Sequence, residues 1–248
     1  MDALIIAAGF GSRLREISDS KPMTPVAGIP LLELGVRQAK AAGAQRVVVV
    51  TGHQADRLEA ALPALAQRAG IAVEPARVDN WSQPNGWSVI AGADRIAGNY
   101  LLMMSDHIFS APILTGLARQ GGADRGVTLA VDRRIEDPLI DPDDATWVER
   151  DEREFIRTIG KTIARYDAVD CGAFLATPEL AAAIRGAIAD GQAGSLSEGM
   201  QRLADQGRAA TWEIGGAWWL DVDDPRAHEL AEAQAPHQLA EVYAAALG

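Results

Sequence analysis

The chain has little cysteine, few aromatic residues and no long apolar segment. Cys171 is the single cysteine, so no disulfide can form within the chain, and a reducing compartment suits it. The longest apolar runs, such as residues 3–8 and 47–50, are far shorter than the ~20 residues of a membrane-spanning helix. The N-terminus also lacks a basic start and a separate hydrophobic region with a cleavage site. We therefore expect no signal peptide, no membrane insertion and a cytoplasmic location.

Basic residues are in the minority as well. Lys and Arg number 23 against 34 Asp and Glu, which gives a formal net charge of −11. An acidic surface argues against nucleic acid or an anionic membrane as a partner. A polyanionic small substrate would therefore need a local cluster of positive groups. The hydrophobic content of 48% indicates a globular chain, and 248 residues suit one large α/β domain.

Short apolar runs alternate with helical patterns through the first half of the chain. The strand candidates are residues 3–8, 46–51, 71–78, 100–105 and 126–131, and the helix candidates are 31–42, 54–69 and 88–96. Continuous apolar strands separated by helices predict a Rossmann-like α/β fold. Its sheet should be mostly parallel, with helices on both faces.

The pattern changes at about residue 132. Residues 132–144 are rich in Asp and Pro and predict an irregular excursion, and residues 146–159 have the pattern of a hairpin. Strand candidates follow at 168–176, 209–214 and 218–222, and helix candidates at 178–189, 196–206 and 224–233. We predict one domain over residues 1–248, made of a first half (1–131) and a smaller, β-rich second half (132–248).

A glycine-rich turn follows the first apolar run. The chain reads A-A-G-F-G-S-R-L from Ala7 to Leu14, and Lys21-Pro22 follows. Glycines allow a sharp turn and a close approach to phosphate, and a helix start after the loop would add positive charge. The loop is neither a Walker A motif nor a complete G-x-G-x-x-G fingerprint. Because Arg13 and Lys21 lie nearby in sequence, an anion-binding loop is favoured over a purely structural turn.

Acidic residues stand at the ends of two strand candidates. Asp106 follows the apolar run from residue 100, at the end of a strand where open α/β sheets bind ligands. The later segment W-W-L-D-V-D-D contains Asp221 and Asp223 on one face of an extended chain, and Asp224 suits a helix N-cap. Mg²⁺ prefers such oxygen ligands. We predict that Asp106 and Asp223 bind the metal, with Asp221 as the other candidate.

The segment from Leu4 to Pro25 resembles the signature of the sugar-phosphate nucleotidyltransferases, the MobA-like NTP transferases of GT-A-like fold, which reads A-A-G-x-G-x-R-L and then K-P-x. The resemblance implies that residues 1–131 bind an NTP and residues 132–248 bind the acceptor. It also implies that a strand-end Asp and a late Asp hold Mg²⁺. The implied nucleotide-binding residues are Ala7, Ala8, Gly9, Gly11, Thr51, Gly52, Asn85 and Ser88. The implied catalytic residues are Arg13, Lys21 and Asp106.

Further motifs are similar to those of CTP:inositol-1-phosphate cytidylyltransferases. They are N-G-W-S from Asn85, S-D-H-I-F from Ser105, D-A-T from Asp144, I-G-K ending at Lys161, D-A-V-D-C-G-A-F from Asp167, S-L-S-E from Ser195 and W-L-D-V-D from Trp219. The resemblance implies transfer of CMP from CTP to inositol 1-phosphate, giving CDP-inositol and pyrophosphate. Four positions depart from the pattern: Trp87, Ser105, Phe109 and Cys171. Phosphocholine, an aminoalkyl phosphonate or a sugar 1-phosphate therefore stay open as alternative acceptors.

The resemblance also assigns acceptor-binding residues. Lys161 would meet the acceptor phosphate, and Asp170 and Glu198 would bind its hydroxyls. Each has a structural alternative: a solvated lysine, a turn aspartate and, in Ser195–Glu198, a helix capping box. His107 is open between a general base and a packing residue. Enzymes of this group can be fused to a membrane transferase. No segment here predicts a membrane span, so we expect the chain to act alone, with a homodimer possible.

Overall fold

A computed structural model describes residues 1–244 of the protein. Its strands are β1 (Asp2–Ile6), β2 (Pro25–Val26), β3 (Ile29–Pro30), β4 (Arg46–Thr51), β5 (Ala72–Arg77), β6 (Tyr100–Met104), β7 (His107–Phe109), β8 (Val127–Asp132), β9 (Trp147–Arg150), β10 (Ile156–Gly160), β11 (Ala168–Ala176), β12 (Ala209–Glu213) and β13 (Trp219–Asp221). Its helices are α1 (Leu31–Ala41), α2 (Ala55–Ala69), α3 (Asn85–Ala93), α4 (Ala111–Leu117), α5 (Pro178–Ala189), α6 (Leu196–Asp205), α7 (Pro225–Gln238) and α8 (Ala240–Ala244). The predicted helix at 88–96 thus begins three residues earlier, and the one at 224–233 continues to Gln238.

The central sheet joins the two halves of the chain. Its strand order is β10-β9-β11-β6-β1-β4-β5, with β8 beside β11 and β12 beside β8. Strands β6, β1, β4 and β5 are parallel, as are β8 and β12, and β11 runs antiparallel between the two groups. The predicted hairpin at 146–159 forms as β9 and β10. The mostly parallel Rossmann-like sheet predicted from sequence is confirmed.

Alternate residues of the buried strands face two separate hydrophobic cores. On one face Leu4 and Val48 pack with residues of α3, α5 and α6. On the other face Ile5 and Val49 pack with residues of α1, α2 and α4. Because both faces are covered, the strands read as continuous apolar runs. Within residues 1–244, no helix combines the length and apolar character needed to cross a membrane.

One sequence expectation about the glycine loop is wrong. No α-helix starts after it, and Ser12–Leu14 forms a single 3-10 turn. Leu14 is the one buried residue of 12–17, so no apolar stripe is available to hold a longer helix against the core. The loop therefore relies on backbone amides and nearby cations, without the macrodipole of a following helix.

A small antiparallel ribbon brings distant acidic residues to the sheet. Strands β7 and β13 pair so that His107 lies opposite Asp221, and the amide of Val222 donates to the carbonyl of Asp106. A third hydrophobic cluster, which includes Ile108 and Leu220, packs this ribbon against α1 and α7. The late acidic segment is thereby fixed beside the end of β6.

Candidate active site

A cavity of about 210 Å³ opens at the carboxyl ends of β1 and β6. It is lined by Ile6, Ala7, Ala8, Gly9, Gly11, Lys21, Pro22, Trp81, Gln83, Asn85, Ser88, Met104, Ser105 and Asp106. Gly11 has a left-handed backbone (φ 61°), and a Cβ there would overlap the side chain of Lys21. Only glycine lets the loop and the lysine lie this close together.

Six of the eight predicted nucleotide-binding residues line this cavity, and the other two, Thr51 and Gly52, do not. The Thr51 hydroxyl is buried and donates to Glu59, and Gly52 packs against Ala8 and Trp81. Trp81 and Gln83, which follow β5, were not predicted from the sequence. They carry no periodic or spacing signal, and only the sheet order brings the loop after β5 to this edge.

Lys21 and Asp106 form an ion pair at the floor of the cavity, with Nζ 2.6 Å from Oδ2. Burial alone would lower the pKa of Lys21, but the charges of Asp106 and Asp221 outweigh it and the pKa is raised. Burial alone would raise the pKa of Asp106, but Lys21 and His107 hold it well below its usual range. Both groups are therefore charged at neutral pH.

Arg13 reaches from the glycine loop to acids of the second half of the chain. Its Nη1 lies 2.7 Å from Asp223 and its Nη2 lies 2.8 Å from Asp144. Asp144 in turn binds Lys161 through its other oxygen. The early basic loop and the late acids thus meet across one crevice.

A larger cavity of about 510 Å³ adjoins the first on the side of the second half. Asn85, Met104 and Asp106 line both cavities. Lys161 and Asp170 line the larger one, where Asp170 accepts a hydrogen bond from the amide of Gly172. Burial raises the pKa of Asp170 to about 6, against the opposing effects of that amide and of His107.

His107 is held on several sides. Its Nδ1 lies 2.8 Å from Asp106, and its ring stacks on Trp219 at a centroid distance of 5.9 Å. Gly172 has φ 74°, and a Cβ there would overlap the imidazole. Burial alone would lower the pKa of His107, but Asp221 and Asp106 raise it to about 9. A protonated imidazole suits positioning and charge balance better than general-base catalysis.

Comparisons with known proteins place the chain in a family. The MobA-like NTP transferase domain matches residues 3–203. The chain belongs to this family. It is 33% identical, over 93% of its length, to the bifunctional IPC transferase and DIPP synthase of Rubrobacter xylanophilus, and 28% identical, over 93%, to that of Aquifex aeolicus. The chain covers 51% and 50% of these two relatives, about half the length of each.

A solved structure has the same fold as this NTP transferase domain. The inositol-1-phosphate CTP transferase from T. maritima superposes with a TM-score of 0.83 at 22% identity, over 95% of this chain and 96% of that one. The family and the fold expected from the glycine-loop motif are therefore confirmed.

The acids of this NTP transferase domain fit a divalent cation. Ligand atoms of Asp106, His107 and Asp221 lie within 4.8 Å of one another, as do those of Asp144, Asp221 and Asp223. Asp221 is common to both groups. Its Oδ1 is buried and finds no hydrogen-bond partner within residues 1–244. This oxygen lies 3.5 Å from His107 Nδ1, an ion-pair contact without a hydrogen bond. Carboxylate oxygens gathered in this way suit Mg²⁺, and a buried oxygen that accepts no hydrogen bond is available as a ligand.

Glu198 has a structural role in the described chain. Its Oε2 accepts from the amides of Gly194 and Ser195, while the Ser195 hydroxyl accepts from the amide of Glu198. This reciprocal pair is a capping box at the start of α6. Its neighbour Ser197, one residue earlier, lines the larger cavity.

Proposed function

We propose that this domain transfers CMP from CTP to inositol 1-phosphate in the presence of Mg²⁺ and releases pyrophosphate. The observation that carries the proposal is the junction of the two cavities at Asp106, with Lys21 on one side and Lys161 on the other. Two phosphorylated substrates could meet there, each beside a cation. The names of the bifunctional relatives and of the T. maritima enzyme support the choice of reaction.

The transfer asks for charge neutralisation and alignment more than for covalent catalysis. An oxygen of the acceptor phosphate forms a bond to the α-phosphorus of CTP while the α–β bridging P–O bond breaks, and pyrophosphate leaves with that electron pair. The acceptor phosphate is already ionised near neutral pH, since its second pKa is ~6, so no general base is needed.

Each cationic group has a defined task in this proposal. The backbone of Gly9 and Gly11, with Arg13, would bind the triphosphate, and Lys21 would stabilise charge at the α-phosphate.

Asp106 and Asp221, with Asp223 nearby, would hold Mg²⁺, which supplies charge neutralisation when bound. In this assignment Asp221 joins Asp106, because these two belong to the same group of ligand atoms.

The larger cavity favours a polyhydroxylated acceptor. Lys161 would bind its phosphate, and Asp170 and Thr146 offer oxygen atoms to hydroxyl groups. Phosphocholine would instead require several aromatic faces around a quaternary ammonium. Trp219 lines the cavity, but one face of its ring is stacked on His107. This arrangement supports inositol phosphate over phosphocholine.

Pyrophosphate release tests the proposal directly. Each of the four NTPs is paired with inositol 1-phosphate, phosphocholine, an aminoalkyl phosphonate and glucose 1-phosphate, with Mg²⁺ or with EDTA. We expect release from CTP with inositol 1-phosphate and Mg²⁺, and little from the other pairs. Reaction with a different acceptor would overturn the acceptor assignment, and silence in every pair would overturn the proposed activity.

A further inference from the structure

Asp144 contacts a cation from each half of the chain. Its Oδ2 lies 2.8 Å from Arg13 Nη2, and its Oδ1 lies 2.5 Å from Lys161 Nζ. Arg13 is proposed to bind the triphosphate and Lys161 the acceptor phosphate. One carboxylate therefore neutralises a cation from each half of the chain. Thr146, the last residue of the D-A-T motif, is proposed to contact the acceptor, whereas Asp144, the first, has no role so far in the proposed reaction.

We infer that Asp144 is an electrostatic placeholder, which holds Arg13 and Lys161 in the empty site and gives way to the phosphates of the two substrates. The inference rests on the proposed function, since it takes these cations to be phosphate ligands. In the empty site Asp144 occupies donors of Arg13 and Lys161 that a substrate phosphate would bind, so the phosphate and Asp144 compete for them. Asp144 is thus a positioning residue that acts through two other side chains.

Charge and exposure agree with this exchange. The Asp144 side chain is 27% exposed, Arg13 48% and Lys161 57%, so the ion pairs are partly solvated and can be broken. Both oxygens of Asp144 face cations, with Oδ1 towards Lys161 and Oδ2 towards Arg13, which is the contact pattern of an ionised carboxylate. Arg13 also keeps a second contact with Asp223 at 2.7 Å, which would hold it in place after Asp144 leaves.

Replacing the carboxylate should therefore strengthen binding. In Asp144→Asn neither cation has to be released, so each phosphate ligand should bind about two- to fivefold more tightly, as expected for loss of one partly exposed ion pair. Asp143→Asn is the matched control, because Asp143 carries the same charge on the same loop and is exposed. Within residues 1–244 Asp143 makes no ion pair, so its removal tests the general effect of one negative charge.

The test is calorimetric titration of the full chain with CTP alone and with inositol 1-phosphate alone, both in EDTA so that no divalent ion contributes. We expect tighter binding of both ligands by Asp144→Asn and unchanged binding by Asp143→Asn. A merely structural role for Asp144 would weaken binding, since a damaged site does not gain affinity. Weaker binding, or an equal gain in both variants, would overturn the inference.

A repeat of the titration with Mg²⁺ distinguishes the placeholder role of Asp144 from a role as a metal ligand. If Asp144 serves as a metal ligand, Asp144→Asn will bind CTP as the native chain does in EDTA and will lose affinity with Mg²⁺, which also overturns the placeholder role. Failure of the proposed function looks different, since the native chain would then bind neither CTP nor inositol 1-phosphate under any condition.

Discussion

Lys21 is the residue on which the proposed reaction depends most closely. It pairs with Asp106 at 2.6 Å and lines the smaller cavity. We expect Lys21→Ala to lower the rate of pyrophosphate release about 100- to 1000-fold, the usual cost of removing one donor to a transition-state charge. Its far-ultraviolet circular dichroism should match that of the native chain.

The exposed cation Arg119 offers a control for this variant, because it lies away from both cavities. Arg119→Ala should leave the rate unchanged. A near-native rate in Lys21→Ala would contradict the role of the lysine at the α-phosphate.

Gly172 is a second residue whose identity is set by the site. Its backbone has φ 74°, and any side chain would overlap the ring of His107. Gly172→Ala should reduce the free energy of unfolding by about 1–3 kcal/mol, from backbone strain and crowding. Turnover should fall as well, because His107 contacts Asp106. Gly216→Ala is the control, since within residues 1–244 an added Cβ would have no atom within 4 Å apart from residue 216 itself and its two chain neighbours.

At the scale of elements, variants at the start of α6 can distinguish two roles for Glu198, helix capping and acceptor binding. If its carboxylate serves the capping box, Ser195→Ala and Glu198→Gln should each reduce the free energy of unfolding by about 0.5–2 kcal/mol. The KM for the acceptor should stay unchanged in both variants. A raised KM in Glu198→Gln with native stability would instead favour the acceptor-binding role that the sequence motif implied.

Helices α1 and α2 are joined by a buried ion-pair network. Glu33 is 2% exposed and binds Arg37 at 2.7 Å and Arg68 at 2.6 Å. Burial alone would raise the pKa of Glu33, but Arg68 and Arg37 lower it. A depressed folded-state pKa stabilises the protein above the unfolded pKa of ~4.3, and this stabilisation is lost as the pH falls through the folded value.

Glu33→Gln tests this network by urea unfolding across pH. At neutral pH the free energy of unfolding of the variant should be about 3 kcal/mol lower than that of the native chain, because two arginines lose their buried partner. The difference from the native chain should shrink as the pH falls below ~4, because Glu33 is protonated first in the unfolded chain and then, at its lower folded-state pKa, in the folded chain as well. A difference that is constant across pH would contradict the assigned ion pairs.

At the scale of the whole molecule, substrate should stabilise the fold because both halves of the chain contribute to one crevice. CTP with Mg²⁺, at 100 times the dissociation constant of CTP, should raise the free energy of unfolding by about 2.7 kcal/mol. For a chain of this size this corresponds to a Tm increase of about 5–10 °C. EDTA should remove most of that increase. In Asp221→Asn, CTP should change the Tm by the same amount with and without Mg²⁺. An undiminished shift in EDTA would contradict metal-assisted binding.

Several features could be predicted from sequence because they depend on neighbours along the chain. The alternation of apolar runs and helices predicted the sheet, and the A-A-G-x-G-x-R-L motif predicted the family. The N-cap of α7 at Asp224 and the capping box at Ser195 also followed from local hydrogen-bonding preferences. The absent helix after the glycine loop was the exception, because its burial depended on contacts that the motif does not describe.

Other features depended on residues that only the folded chain brings together. The sequence pointed to acids near residues 106 and 221, but the sheet order and the β7–β13 ribbon decided that Asp221 lies beside Asp106. No spacing or periodicity in the sequence predicts that Asp144 contacts both Arg13 and Lys161. The same holds for the presence of Trp81 in the smaller cavity. Local patterns determined the elements and the cationic loop of this protein, because those depend on short-range sterics and periodicity. The tertiary structure alone decided which charges meet, because electrostatic contact depends on distance in space.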